Sequence, residues 1–162
     1  MAHEEVLMAE LEGQFHFLVG RVRMPRERRI FVELPYHNFA AVFEYAVRSM
    51  HFSQLITITG LDEGETLGLV YHLGRARGLV LSIKTAVPKH DPQVESVTPL
   101  FPGGAIYEQE LVDLLGFQVN GLPPLANRYP LQDDWPAGQY PLRKDWSPES
   151  LKDPALKPEK GA

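Results

Sequence analysis

The chain has 162 residues, a net charge of −5, 44% hydrophobic and 23% charged residues, and no cysteine. That is material for one soluble domain with an ordinary core. It excludes disulfides, thiolate zinc sites, cysteine nucleophiles and protein-held iron–sulfur clusters, whose ligands are normally cysteine. The acidic balance argues against a phosphate-backbone binder, which needs clustered Lys and Arg.

The N-terminal "MAHEEVLMAE" is acidic and lacks the positive region of a secretory signal. No run approaches the ~18 apolar residues of a membrane span. A cytoplasmic chain is the expectation. Residues 3–12 place Val6, Leu7 and Leu11 at helical spacing, predicting a short helix. Residues 15–23 and 28–35 are β-branched and aromatic, and predict a hairpin joined by a polar turn containing Pro25. The basic run "RVRMPRERR", Arg21 to Arg29, reads as the solvated turn of that hairpin rather than as a nucleic-acid patch.

Residues 37–51 carry the clearest helical stripe, through Phe39, Val42, Phe43, Ala46, Val47 and Met50, with Asn38 as the expected N-cap. Three strands follow at 54–60, 66–74 and 78–87, with alternation predicting one covered and one wetter sheet face. After a proline-punctuated loop, residues 103–117 predict a third helix closed at Gly116. The order α-β-β-α-β-β-β-α describes an α+β, two-layer domain with a mixed β-sheet covered by helices. The expected organisation is a core domain at 1–118, an extended arm at 119–146 and a flexible tail at 147–162.

Eight of the 14 prolines fall in residues 121–162. Proline lacks the N–H that ladders need and biases its predecessor toward extended backbone. Yet this segment holds Leu122, Leu125, Tyr129, Leu131, Trp135, Tyr140, Leu142 and Trp146, each worth roughly 1.5–3 kcal/mol on burial. Such an arm either wraps its own domain or lies across another protein. "PLRKDW", Pro141 to Trp146, reads as its anchor: Leu142 and Trp146 fill pockets and Arg143 offers a planar fork to carboxylates. On helix 103–117, Glu108 projects into the apolar stripe while Glu110 and Asp113 lie opposite. Glu108 is either a first-turn acid favoured by the helix dipole or the partner of Arg143, Lys144 or Arg128.

No metal-ligand histidine pair, Walker loop, nucleophile elbow or dinucleotide fingerprint is present. His72 with Glu65 nearby in sequence is the best acid–base candidate, and a small hydrolase is one open reading. Another is a small-molecule-binding domain with the arm as a lid.

"YEQELVDLLGF" followed by "PLQDDWPAGQYPLRKDW" resembles the signature of the respiratory-chain NADH dehydrogenase 30 kDa subunit family, the C subunits of NADH-quinone oxidoreductase. The matching positions are Tyr107, Glu108, Glu110, Asp113, Gly116 and Pro141, Leu142, Arg143, Lys144, Asp145, with Trp135 and Trp146 flanking the second block. The family's central arginine is Gln109 here, and Leu122 precedes Pro123 where the family often has histidine. The "DDWPxGxYPLRKDW" style is more similar to the branch found in energy-converting hydrogenases and formate hydrogenlyases. The resemblance implies a non-catalytic scaffold that binds no cofactor itself. Its partners would be a hydrogenase-like, 49 kDa-type large subunit and iron–sulfur subunits. Those partners would hold the iron–sulfur clusters and the nickel–iron or quinone site, with no nucleic acid involved and the membrane reached only through the complex.

Overall fold

Leu7 and Leu11, one turn apart, are buried against the strands that follow, and they set the face of α1 (His3–Gln14). Val6 lies about 100° round the helix from Leu7 and is exposed, contrary to the expected stripe. The computed structural model describes residues 3–125 and 129–152. Arg128 and residues 153–162 of the predicted tail lie outside the described residues. The chain divides into two compact units, residues 3–59 with 68–86, and 60–67 with the described residues from 87 onward.

The first unit holds α1, β1 (Val22–Arg26), β2 (Arg29–Glu33) and α2 (Phe39–Arg48). It also holds most of β3 (Gln54–Asp62), β4 (Thr66–Arg75) and β5 (Leu79–Pro88). The five strands form one sheet in the order β1-β2-β5-β4-β3, with β1 antiparallel and β5 parallel to β2. The mixed sheet and α+β class are those expected. On β5, Leu79, Leu81, Ile83 and Thr85 are buried while their alternate neighbours are half-exposed. α2 seals the buried side: Phe39 and Phe43 set their rings 4.4 and 5.5 Å from that of Tyr71 on β4.

Three local expectations are corrected by the structure. Residues 15–21 form no strand; His16–Leu18 is a 3-10 turn, and β1 begins at Val22. Pro25 lies inside β1, not in the turn, because β1 is an edge strand whose register shifts between Arg23 and Arg26, so no ladder N–H is required there. Asn38 makes no side-chain cap. Its backbone is already helical (φ −96°, ψ −6°), and the chain enters α2 through a 3-10 turn in which Asn38 N–H donates to the Pro35 carbonyl at 3.0 Å.

The second unit contains β6 (Gln93–Glu95), α3 (Ala105–Leu115) and β7 (Gln118–Asn120). β6 and β7 pair in parallel, Val94 opposite Val119, making a small crossover unit around α3. Three residues per strand in proline-flanked sequence carry no readable alternation, so the sequence pattern predicts no sheet here. Gly60 lies under α3: a Cβ there would stand 2.6 Å from Leu111 Cδ2 and closer still to Leu115 Cδ1. Among the described residues no helix is long and apolar enough to cross a membrane.

Candidate functional site

α3 ends because Gly116 adopts the left-handed conformation at φ +75°. Its N–H and that of Phe117 turn back to the carbonyls of Val112 and Leu111, as helix-terminating glycine motifs do. The carbonyls of the last turn still need donors, and the arm supplies them. Leu142 N–H donates to the Leu114 carbonyl at 3.0 Å. Arg143 Nε donates to the Leu115 carbonyl at 2.7 Å, and its Nη2 lies 3.5 Å from the Gly116 carbonyl. The guanidinium also lies over the Tyr140 ring, 4.5 Å from its centroid. A cation at the negative end of the helix dipole gains further.

The next two residues are held by the turn after β3. Asp62 closes that turn by accepting Gly64 N–H on Oδ1 at 2.9 Å, an arrangement short acidic side chains favour. Its Oδ2 accepts Lys144 N–H and Lys89 Nζ, each at 2.8 Å. Lys89 reaches on to Asp145 Oδ2 at 3.2 Å. The Asp62 side chain is 2% exposed. The Lys89 ammonium, aided by the two backbone donors and opposed by burial, holds its carboxyl well below the usual carboxylate range. Asp62 and Asp145 together raise Lys89 above its ordinary value. Each residue from Leu142 to Asp145 therefore has a defined contact, and that is why so many polar groups crowd one short segment.

The tryptophans bracket a third anchor, Gln139. Trp135 indole N–H donates to its carbonyl and Trp146 indole N–H to its Oε1, both at 2.8 Å, and the two rings lie 6.0 Å apart. Backbone turns at Tyr140–Arg143 and Arg143–Trp146 complete the arm. The cleft between Gln139, Arg143 and Trp146 holds about 210 Å³, below the usual 300–1,000 Å³ of small-molecule sites.

In this chain the Leu142 backbone is pinned while its side chain is 57% exposed. The expected pairing of Glu108 with the arm fails among the described residues. Glu108 does not meet Arg143 or Lys144. It is 1% exposed, accepting Ser96 Oγ at 2.7 Å and Val97 N–H at 2.6 Å. Arg143 goes instead to the end of α3, where uncapped carbonyls outcompete an acid already satisfied locally. Asp113 is buried rather than outward-facing, with Gln109 donating to it at 3.2 Å. Tyr107, Glu110, Trp135 and Trp146 are half-buried.

Burial raises the Glu108 carboxyl, with the Ser96 and Val97 bonds opposing. The folded chain then binds this proton more readily than the unfolded one. The contribution of Glu108 to stability is greatest in acid and declines from about pH 4.3 up to the raised folded value. Glu108→Gln should abolish this decline and hold neutral-pH stability within about 1 kcal/mol, since Ser96 Oγ can turn its proton to Thr98 Oγ1, 2.6 Å away. Urea midpoints across pH 4–8 check this.

His72 sets its ring nitrogens 2.9 Å from Ser82 Oγ and 3.5 Å from Thr59 Oγ1, and burial lowers its pKa. It meets hydroxyls rather than a carboxylate, which removes the geometric basis for a His72–Glu65 pair. Among the described residues no group of histidines, aspartates and glutamates could hold a metal ion.

The fold and the pinned arm define a class: an α+β chain with a mixed sheet in one unit and, in the other, an arm pinned to the end of α3. The chain belongs to the respiratory-chain NADH dehydrogenase 30 Kd subunit family, whose model matches residues 32–151. This is the family of the 30 kDa or C subunits of membrane-bound oxidoreductase complexes. The chain is 29% identical over 136 residues to the C subunit of the F(420)H(2) dehydrogenase of Methanosarcina mazei, covering 80% of this chain and 86% of that one. It is 33% identical over 79 residues to the C subunit of the NADH-quinone oxidoreductase of Moorella thermoacetica, covering 48% and 53%. The chain thus spans nearly all of the first relative but only about half of the second. Its fold matches a chain of the membrane-bound sulfane sulfur reductase, an archaeal respiratory membrane complex, with TM-score 0.80 at 22% identity over 98% of this chain and 95% of that one. It matches the trypsin-resistant fragment of Nqo5 with TM-score 0.61 at 27% identity over 77% and 100%.

Proposed function

We propose that this chain is a non-catalytic peripheral subunit of a membrane-bound multisubunit oxidoreductase, and that its arm docks on a hydrogenase-like large subunit. Iron–sulfur clusters and the nickel–iron or quinone site belong, on this reading, to the partners, and the chain reaches the cytoplasmic face of the membrane through them. One observation carries the proposal. The arm is held by its own domain through backbone and charged groups, while the large apolar side chains Leu142 and Tyr129 are directed outward, at 57% and 45% exposure. A segment already rigid loses little further entropy when it docks, and exposed apolar side chains on such a support gain from being covered. Family membership and the likeness to the C subunits of related complexes support the same assignment.

Leu142→Glu tests it directly. Co-expressed with the large-subunit gene from its own genome, the variant should lose about tenfold or more of the co-purifying partner. Its own urea midpoint should shift little, because the side chain is already 57% exposed. Undiminished co-purification, or redox turnover by the isolated chain, would refute the proposal.

A further inference from the structure

Five of the ten arginines lie between residues 21 and 29, and two more, Arg75 and Arg77, lie in the connection from β4 to β5. The topology brings Arg26, Arg28 and Arg29 to the same end of the sheet as Arg75 and Arg77, while Arg21 and Arg23 lie toward the other end of the β1–β2 hairpin. β2 and β5 are parallel with Arg29 opposite Val80, and Val80 N–H donates to the Arg28 carbonyl at 3.0 Å. Arg29 ties the two turns by donating to the carbonyls of Arg28 and Gly78, both at 2.9 Å. Arg26, Arg28 and Arg77 are left exposed around this tie. The nearest acids along β1 and β2 are Glu27, itself 82% exposed and 3.5 Å from Arg28, and Glu33, which pairs with Lys84 at 3.1 Å. In a chain of net charge −5, this concentration of positive charge opposes the global balance.

Arg26, Glu27, Arg28, Arg29 and Gly78 line an open cleft of about 500 Å³, three arginines against one exposed acid. Beside it, Arg23, Met24, Pro25 and Phe31 line a second cleft of about 480 Å³ whose surface is mainly apolar. Arg23 lies 4.9 Å over the Phe31 ring, and Met24 is 40% exposed. The apolar cleft is lined by β1, the edge strand, and its neighbour on β2, and the basic cleft by the turn that follows β1.

We propose that this end of the first unit is a docking surface for an acidic, extended protein segment that carries one apolar side chain close to its carboxylates. The basic groups are all arginine, whose planar fork matches carboxylates in pairs. The apolar cleft beside them suits a side chain, which a free phosphate or a nucleic-acid backbone does not supply. The edge strand leaves its outer side open to an extended chain, interrupted at Pro25 and the register shift. The surface uses none of the arm's residues, so it stands whether or not the arm binds a large subunit.

The test uses the full chain and a short fluorescein-labelled glutamate peptide with one leucine close to a glutamate pair, read by anisotropy. The wild type should bind it, binding should weaken with salt, and the glutamine version should not bind. Arg26→Glu/Arg28→Glu/Arg77→Glu should lower affinity about tenfold or more, while Arg48→Glu, on α2, should leave it unchanged. Arg29 is retained because it holds the two turns together. Replacing the peptide's leucine by serine should weaken binding to wild type, a result that does not depend on any variant folding. Equal binding of the glutamine peptide, an unaffected triple variant with native circular dichroism, or tighter binding to phosphatidylglycerol vesicles or an oligothymidine strand would overturn the proposal.

Discussion

Gly116→Ala is expected to destabilise the chain by about 2–4 kcal/mol and to detach the arm from the end of α3. Two effects add. The left-handed backbone at φ +75° disfavours any Cβ by roughly 1–2 kcal/mol. The new methyl would also stand 2.6 Å from the Tyr140 ring and 2.8 Å from Arg143 Nη2. Both belong to the arm, so the least resistant response is for the arm to move outward and abandon the Leu114 and Leu115 carbonyls. Gly138 provides the control. Its φ is nearly the same, +76°, but nothing lies within 4 Å of its would-be Cβ. Gly138→Ala should therefore show the backbone term alone. Urea midpoints measure both losses, and protease cleavage within residues 129–146 reports detachment. Equal losses and equal cleavage in the two variants would show that the arm does not press on Gly116.

Much of the first unit follows from local pattern. The stripe Phe39, Val42, Phe43, Ala46 and the alternation Leu79, Leu81, Ile83 each encode a face, and each of these residues is buried. Gly116 announces the end of α3 because only glycine occupies that conformation without strain. What local pattern hides depends on contacts distant in sequence. Pro25 looks like a turn residue until the edge position of β1 is known. The β6–β7 pair brings residues 93–95 to 118–120, with neither strand long enough to show a period. Glu108 is legible as an acid on a buried face, but its donors, Ser96 and Val97, lie in a loop with no regular element to predict its path. In the arm, the importance of residues 141–146 is legible, and their seat is not. Asp62 and Lys89 look like ordinary members of an acidic turn and a loop. A local signal does exist, because Asp62-Glu63-Gly64 is the pattern of a turn closed by its own aspartate. Such a turn fixes one carboxylate oxygen and frees the other for a distant donor.

Asp62→Asn is the second large effect expected, about 2–3 kcal/mol at neutral pH, from hydrogen bonds to a buried charged acceptor. The replacement has the same shape, so packing is preserved and only the chemistry changes. Oδ2 now serves Lys144 N–H and Lys89 Nζ, and Oδ1 serves Gly64 N–H. An amide has one acceptor atom: whichever way it turns, its NH2 faces a donor. Lys89 would keep only Asp145, whose side chain is 68% exposed, and a pair so wetted is screened by solvent and salt. The pH dependence separates this account from a general loss of fit. The unfolded chain protonates Asp62 near pH 3.9, whereas the folded chain holds it ionised well below that. Between those values the unfolded state binds more protons, so stability rises with pH. The contribution is whole above the unfolded value and is lost as pH falls through the folded one. A protonated aspartate offers nearly what asparagine offers, so the gap between wild type and variant should close in strong acid and open fully by about pH 5. A gap of constant size from pH 3 to pH 7 would mean that Asp62 acts through its shape and not its charge. The Lys144 backbone, and with it the arm, would then owe its position to something other than this carboxylate.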